Sequence, residues 1–166
     1  ADHLESLDIN LPFYGIPFSV KDNIHVEGLP ICAGCPGNES ISTTTSPVVQ
    51  QLLDMGAMLV GKNTMDEFAT GVVGVRSAPH PVSPINPEYI PGGSSSGSGV
   101  VVSNGCVTFS LGSDTGGSGR VPAAMCNIVG FKPTPHLLSS EGMVYANKSI
   151  DCIPVFARTA IEADYV

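Results

Sequence analysis

Two loops dense in glycine and serine carry the side chains best suited to chemistry. The first reads Gly92-Gly93-Ser94-Ser95-Ser96-Gly97-Ser98-Gly99, and the second Gly112-Ser113-Asp114-Thr115-Gly116-Gly117-Ser118-Gly119-Arg120. Glycine lets backbone N–H groups come close to a ligand and adopts positive φ without a Cβ clash. A serine hydroxyl attacks a carbonyl only when a base takes its proton. Read as strand, loop and helix, the second stretch sets Ser118 near a helix N-terminus, where the N–H groups of Thr115, Gly116 and Gly117 can converge on an anion. That layout suits an oxyanion hole for acyl transfer; it suits a passive phosphate nest equally well. The spacing departs from G-x-x-x-x-G-K-[ST], which argues against a P-loop. G-x-S-x-G is absent around Ser118, and His3, His25, His80 and His136 suggest no Ser–His–Asp set. A base for Ser118 has to come from another residue type.

Lys21 is one candidate. It directly follows the short, β-favouring run 16–20. A lysine there is either a surface residue with its stem on the core or a catalytic group held at a strand end. The elements around it follow from local pattern. Ser46-Pro47 predicts a helix start, with Val48, Val49, Leu52, Leu53 and Met55 as its apolar face and Gly56 as its stop. A strand is expected over 57–60. A second helix is expected from Thr64, with Asp66 and Glu67 in its first turn. Residues 71–91 hold five prolines and no periodicity, which predicts a long loop. Beyond it come a helix over 97–102, a strand over 107–111, a helix over 121–126 and a strand over 128–132; the remainder reads as irregular with short strands. Alternating strands and helices give an α/β fold with a mixed, mostly parallel sheet flanked by helices. Residues 1–10 read as a polar lead-in and 11–166 as one domain.

Composition narrows the partners. The 166 residues are 42% hydrophobic and 13% charged, too apolar for disorder. A net charge of −8 argues against nucleic acid and anionic membranes as partners. No stretch approaches the ~20 apolar residues of a membrane span, and no signal peptide opens the chain. The cysteines stand at 32, 35, 106, 126 and 152. Cys32 and Cys35 have C-x-x-C spacing, a redox pair or half a zinc site, but no second pair completes a metal site. Cys106 and Cys126 read as core residues. Free thiols favour a reducing compartment and hence the cytoplasm, while the sequons at Asn38 and Asn147 pull weakly the other way.

Taken together, the two loops, Gly130-Phe131-Lys132-Pro133-Thr134 and the ordered motifs between them resemble the amidase signature family from residue 11 almost to the end. The stretches 66–76, 117–124 and 149–152 bring it nearest to allophanate hydrolases. The resemblance implies a Ser–Ser–Lys triad: Ser118 as nucleophile, Ser94 as bridging serine after a cis peptide bond, and Lys21 as terminal base. It implies an oxyanion hole from the amides of Thr115, Gly116, Gly117 and Ser118, with Ser95, Asp114 and Arg120 in support and neither metal nor cofactor. A neutral lysine can serve as that base once desolvation lowers its pKa from about 10.4. The expected reaction is cleavage of a C–N amide bond in a small amide, allophanate-like in the first instance. Members of the family are longer, so the chain is expected to be a fragment, a natural short form whose open edges a second copy covers and whose reaction has changed to a biosynthetic one, or a silent relative that binds or scaffolds. Uncovered edges and high apolar content predict a homodimer.

Overall fold

The computed structural model describes residues 6–166; half of the expected lead-in, residues 1–5, lies outside the described residues. One sheet organises the chain. Its strands are β1 (Pro17–Lys21), β4 (Met58–Asn63), β5 (Phe109–Leu111), β6 (Val129–Phe131) and β7 (Val155–Ala157). Their order is β4-β1-β5-β7-β6. β1 pairs in parallel with both β4 and β5, and β7 runs against its neighbours β5 and β6. All strands except β7 therefore point the same way, which makes the sheet mixed and mostly parallel as expected. A two-stranded ribbon, β2 (Pro30–Ile31) with β3 (Ser40–Ile41), stands apart.

The two faces of the sheet differ in kind, because side chains alternate along a strand. Phe18 and Val20 of β1, Phe109 and Leu111 of β5, and Val155 and Ala157 of β7 share one buried apolar cluster. Phe18 and Phe109 stack there at 5.3 Å. Helix α1 (Pro47–Asp54) closes this face with Val49 and Leu52. It starts at Ser46-Pro47 as expected, yet the Ser46 hydroxyl donates to the Glu141 carbonyl (2.8 Å) and accepts no bond from the first helical N–H groups.

The opposite face is polar at its centre. Asn63 Nδ2 shares its two protons among the hydroxyls of Ser19 (2.9 Å), Ser110 (2.9 Å) and Ser98 (3.1 Å). Ser98 belongs to α2 (Ser96–Ser103), which lies on this face. A Cβ at Gly97 would come within 2.8 Å of the Thr64 backbone. Small residues let α2 sit that close, and hydroxyls bond where hydrocarbon would otherwise pack. Helix α3 (Arg120–Met125) adds Ala123 beside Val102, Val107 and Phe156. Among the described residues no helix is long and apolar enough to cross a membrane.

Three expectations need correction. No helix follows Thr64: one 3-10 turn, Glu67–Ala69, stands there, broken by positive φ at Phe68 (49°) and Ala69 (57°). Asp66 turns instead to the following loop, accepting from the N–H groups of Gly74 (2.9 Å) and Arg76 (2.8 Å). Cys106 is exposed after α2, whereas Cys126 is buried. The carboxyl-terminal region also ends in a helix, α4 (Ala160–Tyr165). Its start is a capping box: Glu162 N–H donates to Thr159 Oγ1 (3.2 Å), and Thr159 N–H to the Glu162 carboxylate (2.9 Å).

Candidate active site

Lys21 is the last residue of β1, between two parallel neighbours. The carboxyl ends of such strands are where α/β sheets hold their ligands. Lys21 is fully buried, not snorkelling. Its Nζ donates to Ser94 Oγ (2.7 Å) and to Ser113 Oγ (2.8 Å). Burial pulls its pKa down to about 7, against the more distant carboxylates of Asp66, Asp114 and Asp151. At that value the neutral amine is well populated near physiological pH.

Ser94 reaches Lys21 from the first Gly/Ser loop, and its peptide bond with Gly93 is cis. The loop is pinned in place, since the Ser94 carbonyl accepts from Asp66 N–H (2.9 Å). Gly93 has no room for a side chain: a Cβ would stand 2.2 Å from Asp66 Oδ2. Ser95 ties the two loops together. Its N–H donates to the Ser118 carbonyl (3.2 Å), and its hydroxyl donates to the Ser113 carbonyl (3.1 Å).

The second loop is folded around Asp114. Its Oδ1 accepts from Gly117 N–H (2.8 Å) and Arg120 Nη2 (2.9 Å). Its Oδ2 accepts from Gly119 N–H (2.9 Å), Arg120 N–H (3.2 Å) and Arg120 Nε (3.0 Å). Burial opposes the charge on Asp114, but the Arg120 guanidinium and the Gly119 and Gly117 amides outweigh it and hold the carboxyl below the usual carboxylate range. Asp114 and Arg120 thus shape the loop that carries Ser118. The arrangement also spends one expected oxyanion donor, because the Gly117 N–H points at Asp114. Ser118 is 4% exposed and joins the site through its backbone. Lys21's own hydrogen bonds reach Ser94 and Ser113, not Ser118.

Several residues of the site escaped the sequence reading as functional groups. Ser113 is the second partner of Lys21, and Asn23 Nδ2 donates to the same hydroxyl (3.1 Å). Asp151 accepts from the Thr115 hydroxyl and from the N–H groups of Ala146 (2.7 Å) and Asn147 (3.0 Å). Ser113 lies in the second Gly/Ser loop and Asp151 in the stretch 149–152, whereas Asn23 carried no sequence signal of its own. Among the described residues no three His, Cys, Asp or Glu side chains gather as a metal site. All five cysteines are free; Cys32 Sγ donates to Asp22 (3.1 Å).

A buried lysine thus bonds a serine that follows a cis bond, beside a Gly-Gly-Ser loop. The sequence model of the family described as Amidase matches residues 1–166. The chain belongs to the amidase family. A urea amidolyase of Saccharomyces cerevisiae is 49% identical over 156 residues, 93% of this chain and 8% of that protein. An indoleacetamide hydrolase of Pseudomonas syringae is 43% identical, over 92% of this chain and 35% of its own length. Among solved structures, an allophanate hydrolase of Kluyveromyces lactis superposes with a TM-score of 0.92 at 46% identity. That match covers 99% of this chain and 28% of the other. The chain thus spans a minor part of the amidase relatives it matches.

Proposed function

We propose that this chain carries the chemical core of a serine amidohydrolase, in which Ser118 attacks the amide carbonyl and Ser94 relays its proton to Lys21. The observation that supports this most is Lys21 itself: fully buried, bonded to Ser94 Oγ at 2.7 Å, with its pKa brought to about 7. In the reactive state the neutral amine accepts the Ser94 proton while Ser94 accepts that of Ser118. The carbonyl oxygen gains negative charge as the tetrahedral intermediate forms. The N–H groups of Thr115, Gly116 and Ser118 stabilise it, leaving Gly117 to hold the loop. Lys21 then returns the proton through Ser94 to the leaving nitrogen, the C–N bond breaks, and water hydrolyses the acyl-enzyme by the reverse relay.

The similarity to an allophanate hydrolase and a urea amidolyase supports a small ureido acid as substrate. The exposed edge strand β4, with Val60 59% exposed, supports pairing with a second copy. The net charge of −8 supports a protein without nucleic-acid partners, and the free cysteines support a cytoplasmic location. Hydrolysis of allophanate, followed by ammonia release, tests the substrate assignment. Turnover lost in Ser118→Ala and Ser94→Ala supports it; turnover that survives both variants rejects the relay.

A further inference from the structure

The relay needs Lys21 as an uncharged amine, and one buried side chain beside it has no part in the steps above. Asn23 is 1% exposed and grips Val144 twice. Its backbone carbonyl accepts from Val144 N–H (2.8 Å), and its Nδ2 donates to the Val144 carbonyl (3.0 Å). A carbonyl only accepts, so this contact fixes which amide atom is nitrogen. The other Nδ2 proton goes to Ser113 Oγ (3.1 Å), the oxygen that also accepts from Lys21 Nζ (2.8 Å). Asn23 Oδ1 is buried with no hydrogen-bond partner among the described residues. A buried amide that leaves its oxygen unsatisfied in order to aim its nitrogen calls for a reason.

The protonation state of Lys21 supplies one. An ammonium has three protons to place, whereas Lys21 reaches two oxygens, and it shares that of Ser113 with Asn23. A neutral amine suits the same surroundings: it donates to Ser113 and keeps its lone pair for the Ser94 proton. Asn23 also turns the positive end of its amide dipole towards the lysine. The charged groups facing Lys21 pull the other way: Asp66 from the loop after β4, Asp114 from the second Gly/Ser loop, and Asp151 from the segment before β7. We propose that Asn23 is a positioning residue that acts through Ser113 to hold Lys21 as the uncharged base, with its lone pair on the Ser94 side. This inference rests on the relay proposed above.

Two readouts separate the ideas. The first is the titration of Lys21 by NMR on protein carrying 13C at lysine Cε, assigned with Lys21→Met. The second is the pH profile of covalent labelling by a fluorophosphonate. Asn23→Asp keeps the shape and replaces the donor with a carboxylate, so the Lys21 midpoint should rise by about 1 pH unit or more. Asn23→Ala should move it upward by less, and Ser113→Ala, which removes an acceptor, downward. The acidic limb of labelling should follow each shift. Should Asn23→Asp not fold, Asn23→Ala and Ser113→Ala carry the same test through their opposite signs. A merely structural role would lower melting temperature or labelling yield and leave the midpoint in place, and that result overturns the proposal. A midpoint that moves as expected while labelling is absent or insensitive would uphold the role of Asn23 and reject the relay.

Discussion

Lys21 and Lys62 lie at the ends of neighbouring parallel strands, with Lys62 opposite Val20 and Asn63 opposite Lys21. Burial lowers the pKa of both. Their partners differ. Lys62 donates to the carbonyls of Asp22 (2.9 Å) and Pro30 (2.9 Å) and pairs with the Asp22 carboxylate at 3.4 Å. Lys21 meets two hydroxyls and touches no carboxylate. Carbonyls and a carboxylate favour a retained positive charge, so Lys62 works as a clamp between β4 and the turn after β1. Hydroxyls give and take protons equally well, so Lys21 can release its proton and take one up. Because Lys62 is level with Val20 and Lys21 with Asn63, the two side chains leave the sheet on opposite faces, and the loops on each face decide which lysine is a base.

The contrast breaks most sharply under substitution. Lys21→Met should slow fluorophosphonate labelling by about 10²- to 10⁴-fold, whereas Lys62→Met should still label. Equal losses in both variants would erase the distinction. Next in size is Asp114→Asn, which sets an NH₂ group against the Gly119 and Arg120 donors and removes a buried charge. It should cost about 3 kcal/mol in denaturant unfolding. Because the Asp114 pKa is lowered, its contribution is present above the unfolded value of 3.8 and is lost as pH falls through the folded value. The stability gap between wild type and Asp114→Asn should therefore close in acid.

The pH slope has the same sign for Lys21, in a higher window. Its folded pKa of about 7 lies below the model-peptide value of 10.5, so the unfolded chain binds more protons between the two. Wild type should gain stability relative to Lys21→Met as pH rises through that window, at about 1.4 kcal/mol per pH unit at most. A flat difference between pH 7 and 10 would show that the amine is not held neutral. The smallest expected effect is a control away from both lysines. Thr159→Ala, which removes the cap of α4, should cost about 1 kcal/mol and leave labelling unchanged.

What the sequence revealed depended on whether the signal was local. Pro47 and Gly56 bracket α1 because a fixed proline φ and a left-handed glycine act within one turn, and Asn104-Gly105 ends α2 in the same local way. Thr159-x-x-Glu162 was an equally local signal for α4, hidden by the irregular, proline-containing run before it. Thr64 failed as a helix start because tertiary contacts won: Asp66 serves the neighbouring loop, and its fit beside Gly93 fixes both segments. Lys21, Ser94, Asp114 and Ser118 were recognisable through the family pattern. Ser113 and Asn23 were not, since their link to Lys21 depends on which hydroxyl turns inward once β1 and β5 pair. The hydroxyl-lined face of the sheet was equally hidden, as Ser19 and Ser110 look like ordinary surface serines until the glycine-rich helix that carries Ser98 covers them.

The most direct test of the central claim is intact mass after exposure to a fluorophosphonate, comparing wild type with Ser118→Ala and Lys21→Met. The account predicts one covalent adduct on the wild type, none on Ser118→Ala, and none on Lys21→Met within the time that fully labels the wild type. A folded wild type that takes no adduct, or an adduct that persists in Ser118→Ala, would contradict it.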